Sequence, residues 1–402
     1  MGELSVLAGR SIVLGVSGGI AAYKSVELLR LLSSQDARVR VAMTKNAARF
    51  VGPVLFEALS GQPVYMDMWR ENHEIRHIDW AREADLVILA PATANLVGKM
   101  ACGLADDALS TLLLAVTAPI LVCPSMNTHM FENPRVQDNL KRLSDTGLHV
   151  MAPGSGFLAC GDTGPGRLPD PADIADRAAA LLCEKDLSGL KVLVTAGPTR
   201  EPLDPVRFLS NPSSGKMGFA LARAAEHRGA EVVLVSGPVQ LADPLGVKVV
   251  RVTTAREMAD AVFAEAKDAD MVLKAAAVSD FRPKTCAAHK EKKNKADTNL
   301  RLARNPDILK ELGKEKSDKV LVGFAAETRK LAAYASSKLE EKNLDMIVAN
   351  LVGEAGSGFG SDTNKVSVFY RDGYSEDLDL MTKDQVAHAV LDRAARYLPQ
   401  AE

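Results

Sequence analysis

Lys191-Val-Leu-Val-Thr-Ala-Gly-Pro-Thr-Arg200, running on to Asn211-Pro-Ser-Ser-Gly-Lys-Met-Gly218, reads as a strand, a turn-rich loop and the start of a helix. Apolar and β-branched residues lead into Gly197, as in a parallel strand buried on both faces. Ser213-Ser214-Gly215 then opens a helical pattern through Met217, Ala220, Leu221 and Ala224. Unpaired N–H groups and the helix dipole at such a junction suit an anion. The same grammar occurs earlier in Ser11-Ile-Val-Leu-Gly-Val-Ser-Gly-Gly19, ahead of a helix through Ala22, Val26, Leu29 and Leu32. One chain therefore starts a phosphate-binding sheet twice.

Outward from these two stretches, strands and helices alternate. Strands are predicted at 11–16, 38–43, 85–90, 119–123 and 148–151, with helices at 20–33, 53–60, 94–102, 106–115 and 133–146. An Ala-rich helix to Cys183 closes the first half. In the second, strands are predicted at 191–195, 231–235, 247–251, 270–274, 319–323 and 345–349, with a late antiparallel addition at 365–370. Helices fall at 216–228, 255–266, 306–314, 330–342 and 383–397. The expected fold is α/β, with two doubly wound, Rossmann-like domains of mostly parallel sheet at 1–189 and 190–402. Ligands should sit at the carboxyl ends of the strands.

Composition narrows the partners. The 402 residues carry a formal net charge of -2, so neither nucleic acid nor an acidic membrane is expected as a bulk partner. Aromatics at 5% argue against a base-stacking platform. The five cysteines (102, 123, 160, 183, 286) show no paired ligand spacing, which disfavours a structural metal. With no signal peptide or long apolar run, a cytoplasmic protein with reduced thiols is expected. A nicotinamide dinucleotide is disfavoured: Gly15, Gly18 and Gly19 have the wrong spacing, and no acid follows either second strand to hold a ribose. A mononucleotide phosphate at Ser17-Gly18-Gly19 fits better.

Several stretches collect at strand ends. In the first half they are Ala90-Pro-Ala-Thr-Ala-Asn95, Cys123-Pro-Ser-Met-Asn-Thr-His-Met130 and the glycine-rich loop 154–167 around Cys160, whose composition predicts a mobile flap. His77 lies upstream in Ile75-Arg-His-Ile-Asp-Trp80. Singly, such a histidine is more often packed or solvated than a base, and a lone cysteine is usually inert. Together, in this order, the motifs resemble the flavin-dependent cysteine decarboxylases over about residues 8–183. The resemblance implies a flavodoxin-like domain binding FMN near Ser17, Gly18, Gly19, Thr93, Ser125 and Met126. It also implies His77 as base, Asn127 as holder of the substrate carboxylate and Cys160 as proton donor. Ser125 stands where Ala is commoner, which leaves Asn127 in place.

In the second half, Asn211-Pro-Ser-Ser-Gly-Lys216, Lys274-Ala-Ala-Ala-Val-Ser-Asp-Phe-Arg-Pro283, Lys290-Glu-Lys-Lys293 and Val322-Gly-Phe-Ala-Ala-Glu-Thr328 stand out. A lysine run is usually solvated surface, and Asp280 could simply start a turn. Several cations converging on strand ends would nevertheless suit a triphosphate beside a carboxylate. These motifs resemble the phosphopantothenate–cysteine ligases. That resemblance implies CTP near Lys274, Ala275, Ala276, Asp280, Lys290, Asn305, Pro306, Asp307, Ile308, Phe324, Lys338 and Lys342, with Mg2+ at Asp280. Asn211 would orient the phosphopantothenate carboxylate and its acyl-cytidylate, and Lys290 on a closing loop (284–299, expected mobile) would stabilise charge at phosphorus. Substrates would then be 4′-phosphopantothenate, L-cysteine and CTP. Both families further imply a homo-oligomer, with decarboxylase trimers, flavin sites between subunits, and ligase dimers. Rival readings are a two-domain nicotinamide oxidoreductase, opposed by the missing ribose acids, and a flavin-binding regulator, which would not need His77 or Cys160.

Overall fold

The computed structural model describes residues 6–69, 76–158, 161–290, 299–327, 331–351, 358 and 360–399. The chain divides into two compact units, with the break between Cys183 and Glu184. The sequence places that break at 189/190. The structure moves it because Leu187 is buried in the second core and Asp186 accepts hydrogen bonds from Arg228.

The first unit holds β1 Ser11–Val16, β2 Arg38–Met43, β3 Leu86–Ala92, β4 Ile120–Pro124 and β5 His149–Val150. They form one parallel sheet in the order β2-β1-β3-β4-β5, the flavodoxin-like winding. Side-chain alternation sends Ile12, Leu14, Val16, Leu86 and Ile88 to one core and Val13, Val87 and Leu89 to the other. Both faces are thus apolar, so these strands read as continuous hydrophobic runs. Helices Lys24–Ser33 and Pro171–Leu182 pack together, as do Ala94–Cys102 with Pro134–Asp145 and Arg76–Glu83 with Ala108–Ala115.

Residues 154–158 and 161–167 carry strand pairing that the sequence did not suggest. They form an antiparallel hairpin of β6 Gly154–Phe157 and β7 Thr163–Arg167. Its support comes from outside the hairpin. The Met126 N–H donates to the Gly166 carbonyl at 2.9 Å, and a Cβ at Gly166 (φ +131) would meet the Met126 oxygen at 2.2 Å. Only glycine permits that approach.

The second unit is built on β8 Lys191–Ala196, β9 Arg200–Pro202, β10 Phe208–Ser210, β11 Glu231–Ser236, β12 Lys248–Arg251, β13 Met271–Lys274, β14 Phe281–Pro283, β15 Leu302–Arg304, β16 Val320–Glu327, β17 Met346–Leu351, β18 Thr363–Tyr370 and β19 Ser375–Thr382. Eight strands form the main sheet, ordered β12-β11-β8-β13-β16-β17-β18-β19. The first six are parallel and follow the Rossmann order; β18 and β19 add antiparallel at one edge. β19 was not expected: Ser-Glu-Asp-Leu-Asp-Leu-Met-Thr is too acidic to read as a strand, and charge is what an edge tolerates. Two short pairs, β9–β10 and β14–β15, were also unpredicted; the second anchors the chain leading to Lys290. Val192, Val194 and Ala196 of β8 face one core and Leu193 the other.

Candidate active sites

Each sheet has a switch point, where loops leave neighbouring strands in opposite directions and open a crevice. In the first unit it lies between β1 and β3. The Ser17 side chain is 1% exposed. Its hydroxyl donates to the Pro91 carbonyl at 2.7 Å and accepts the Thr93 N–H at 2.9 Å. This bond stitches the loop after β1 to the loop after β3, across the Ala90–Pro91 cis peptide. Gly18 packs so closely on the following loop that a Cβ would lie 2.5 Å from Asn46 Cβ. A side chain there would push the two loops apart.

Above this stitch opens a cavity of about 1050 Å³. Ser17, Gly18, Gly19, Thr93, Ser125, Met126 and Asn127 all line it, so the structure brings together seven of the residues singled out from the sequence. Apolar Ile20, Leu96, Met126 and Leu158 share the wall with hydroxyls and the amides of Asn46, Asn95 and Asn127. A flat aromatic system with a polar rim and an anionic tail fits that lining. Lys24, Lys45 and Arg167 also line it and escaped notice, because isolated cations carry no motif. Lys99 reaches the wall as well, but holds Asp106 at 2.5 Å and Asp107 at 2.7 Å. Burial opposes its charge, yet the two carboxylates raise its pKa and keep it a neutralised cation.

The Asn127 side chain is tied at both ends. Oδ1 accepts the His129 N–H at 2.8 Å, capping the short helix Thr128–Phe131, and Nδ2 donates to Asp162 Oδ2 at 2.7 Å. His77 does not line this cavity. It sits half-buried on the helix Arg76–Glu83. Cys160 lies outside the described residues.

The second switch point falls between β8 and β13, and hydroxyls stitch it too. Thr195 Oγ1 accepts the Ala276 N–H at 3.1 Å, and Thr199 Oγ1 accepts the Ser279 N–H at 3.0 Å. Both threonines are fully buried. A lone threonine in an apolar strand was the only sequence hint of either. Gly197 (φ +75) and Gly215 (φ +80) turn the chain in the left-handed region, and Asn211 Nδ2 donates to the Ala277 carbonyl at 3.0 Å.

Beside this stitch lies a charge cluster. Burial, then repulsion from Lys342, lowers the Lys274 pKa to about 8, with Asp307 and Asp280 partly offsetting. Lys342 Nζ binds Asp307 at 2.9 Å, and Lys338 Nζ binds Glu327 at 2.7 Å. Burial opposes ionisation of Asp307, but the Lys342 bond holds its pKa below the usual carboxylate value. Asn305 frames the cluster, giving Nδ2 to the Ser279 carbonyl at 2.8 Å and its N–H to the Asp280 carbonyl. Ala275 and Ala276 follow β13, Pro306 and Ile308 flank Asp307, and Phe324 is half-buried on β16. Lys290 is exposed, and among the described residues no hydrogen bond or ion pair joins it to the cluster. No group of acids, histidines or cysteines among the described residues is arranged to hold a metal. Magnesium at Asp280 would therefore need oxygens from the nucleotide or water.

Residues 3–182 match the family model described as Flavoprotein, and residues 187–398 match the DNA/pantothenate metabolism flavoprotein C-terminal domain. The coenzyme A biosynthesis bifunctional protein CoaBC of Bacillus subtilis (strain 168) is 48% identical over 396 residues, covering 97% of this chain and 98% of that protein. The chain belongs to the bifunctional coenzyme A biosynthesis proteins. The Escherichia coli (strain K12) member is 47% identical over 393 residues, covering 96% of this chain and 97% of its own length. Among solved structures, the C-terminal domain of a coenzyme A biosynthesis bifunctional protein CoaBC is 45% identical, covers 52% of this chain and 96% of that one, and has a TM-score of 0.45.

Proposed function

We infer that the second unit makes an intermediate that the first unit consumes, in the two activities of the family: phosphopantothenate–cysteine ligase and phosphopantothenoylcysteine decarboxylase. The observation that carries the reading is the pairing, in one chain, of a hydroxyl- and amide-lined cavity with a lysine cluster, each at its own switch point.

In the ligase, Lys274, Lys338 and Lys342 receive the triphosphate of CTP, with Mg2+ screening the remaining charge. The 4′-phosphopantothenate carboxylate, oriented by Asn211, attacks the α-phosphorus and pyrophosphate leaves. Lys290 closes over the phosphorus as negative charge builds there. The amine of L-cysteine then attacks the acyl carbon, forming the amide and releasing CMP.

In the decarboxylase, Ser17, Gly18, Gly19 and Thr93 would hold the phosphate of FMN, and Ser125 and Met126 would complete its pocket. Bound there, FMN would supply the two-electron oxidation of the carbon that bears the substrate thiol and, once carbon dioxide has left, the hydride that reduces that carbon again. His77 takes the thiol proton as that carbon becomes a thioaldehyde. Asn127 grips the carboxylate; carbon dioxide leaves, and its bonding electrons move into the thioaldehyde. Cys160 gives its proton to the carbon that bore the carboxylate, which restores a thioaldehyde for the returning hydride to reduce. Because His77 does not line its own chain's cavity, we place it at the cavity of a second copy, in a homo-oligomer with trimeric decarboxylase and dimeric ligase contacts. Mixing inactive His77→Asn and Cys160→Ser chains should then restore decarboxylation through hybrid sites. No recovery after verified subunit exchange would return both residues to one chain. No described helix is long and apolar enough to cross a membrane, and the cytoplasm, where these substrates are made, is the compartment this reading requires.

A mass-spectrometric time course with 4′-phosphopantothenate, cysteine, CTP and Mg2+ tests the whole. Expected products are CMP and 4′-phosphopantetheine, from a yellow protein. Absence of CMP would overturn the ligase reading. Accumulation of phosphopantothenoylcysteine on a flavin-loaded protein would overturn the decarboxylase reading.

A further inference from the structure

We propose that Glu327 is a built-in competitor of the nucleotide: it occupies Lys338 while the ligase site is empty and weakens the hold on triphosphate and pyrophosphate, so that the site can empty again. The proposal rests on the reading above that Lys338 receives the triphosphate.

Glu327 ends β16, at the carboxyl edge of the sheet where the crevice opens. Alternation along the strand puts it on the same face as Ala325. Ala325 is buried in the core that Ala335 and Leu339 of the helix Leu331–Glu341 also enter. Lys338 leaves that helix one turn before Lys342, whose N–H donates to the Lys338 carbonyl at 3.1 Å. Strand and helix thus bring the two side chains together, and Lys338 Nζ donates to Glu327 Oε1 at 2.7 Å. The Glu327 side chain is 18% exposed and that of Lys338 42%, so the carboxylate is enclosed while the lysine keeps a flank open to solvent. Lys338 also repels the buried Lys274, which places its charge in the same cluster.

As a staple this pair is poor. Exposed ion pairs add little to stability, and the helix is already anchored through Ala335 and Leu339. As a counter-ion Glu327 has a larger consequence. Lys274, Lys338 and Lys342 share their surroundings with Asp280, Asp307 and Glu327, three charges against three, so the empty cluster is balanced. A phosphate can reach Lys338 only in place of the Glu327 carboxylate, and the ion pair broken offsets part of the one gained. The ligase gives up two anions per turnover, pyrophosphate and then CMP. Binding that is uniform along a reaction lowers KM without raising kcat, and lysines strong enough to grip a triphosphate would also retain pyrophosphate. A resident carboxylate removes that excess and returns to its lysine as pyrophosphate leaves.

The test is calorimetric titration of the full-length protein with CTP and Mg2+, and separately with inorganic pyrophosphate. Phosphopantothenate is left out, so that CTP is not turned over. Glu327→Gln keeps the shape of the side chain and removes its charge. Both ligands should bind about two- to fivefold more tightly, the range an exposed ion pair supplies, and pyrophosphate should inhibit ligation at correspondingly lower concentration. In a Lys338→Met background the same substitution should give a smaller gain, because the contact competed for is gone. Unchanged or weaker binding in Glu327→Gln would make the carboxylate a staple or a guide for Lys338, and an equal gain with and without Lys338 would reduce it to bulk repulsion; either overturns the proposal. With Glu327→Gln already in place, Lys338→Met should weaken CTP binding about tenfold, as for one lost charge-assisted contact. No loss there would put the fault in assigning Lys338 to the triphosphate, and the competitor role would fall with that reading.

Discussion

The two switch points share a joint and differ in what surrounds it. In each unit a buried hydroxyl on the first strand or its loop accepts a backbone N–H from the loop after the strand across the crevice: Ser17 to Thr93, and Thr195 to Ala276. Around the first joint the wall mixes apolar side chains, hydroxyls, amides and glycines with the spaced cations Lys24, Lys45 and Arg167, and Lys99 there is matched by two carboxylates. Around the second, burial and, after it, repulsion from Lys342 push Lys274 toward neutrality, while Lys338 and Lys342 hold Glu327 and Asp307. A cavity that keeps a cofactor needs fit. A site that binds and releases a polyanion needs charge that is costly to hold when empty, so that binding relieves it.

If the sites are this separate, single substitutions should split the activities, and this is the largest effect expected. Cys160→Ser should slow decarboxylation by about 10²–10⁴-fold, the usual worth of a general acid, with flavin binding and ligation intact. Asn211→Asp removes the donor to the Ala277 carbonyl and sets an anion where a carboxylate must approach. Ligation should fall by about 10²-fold, the loss typical of one oriented donor, with decarboxylation of supplied phosphopantothenoylcysteine unchanged. Loss of both activities in either variant, with the protein still folded, would break the comparison.

Charge sharpens it next. Burial lowers the Lys274 pKa to about 8, so affinity for the triphosphate should decline as pH rises through that value. Binding the anion should raise the pKa again, and calorimetry in buffers of different ionisation enthalpy should detect proton uptake on binding at about that pH. Lys274→Arg, always charged, should abolish the uptake, and Lys274→Met should lower affinity about tenfold, as for one lost charge-assisted contact. The sign for stability follows from the same shift. The folded-state pKa of about 8 lies below the ordinary lysine value of 10.5, so the unfolded chain binds more protons between the two. Burying Lys274 therefore destabilises the free protein fully below pH 8, and the penalty fades as pH rises toward 10.5. No such pH dependence is expected of flavin retention.

Much of this was legible in the chain. Parallel strands buried on both faces declare themselves as unbroken apolar runs, which is why β1, β3, β8, β11 and β13 were found within two residues. The motifs at their ends were legible for a related reason: loops at a switch point need small or polar residues, which interrupt those runs visibly. The hairpin β6–β7 was illegible because glycine and proline have low strand propensity, and its pairing depends on a segment some 40 residues away. That His77 does not line the cavity could not be read either, since spacing along the chain does not tell where a helix sits on the sheet. Asp162 stood in plain view inside the Cys160 loop, but its bond to Asn127 spans the fold, and distances across a fold leave no mark in one sequence.

The joints themselves offer the smallest effect and the closest control. Ser17→Ala takes the hydroxyl acceptor from the Thr93 N–H and leaves the Pro91 carbonyl with the Ser17 N–H alone; Thr195→Val takes the acceptor from the Ala276 N–H. Each should cost about 1–3 kcal/mol locally, the penalty of an unsatisfied buried group. Hydrogen exchange resolved by peptide should show faster exchange around Thr93 in the first variant and around Ala276 in the second, with the other unit unchanged. Activity should follow the damage: weaker flavin retention in one, a higher KM for CTP in the other, each by a few-fold to about a hundredfold on the same energy scale. If the exchange rates stay put in both, the hydroxyls are incidental, and the likeness between the two crevices reduces to the strand order that any doubly wound sheet would share.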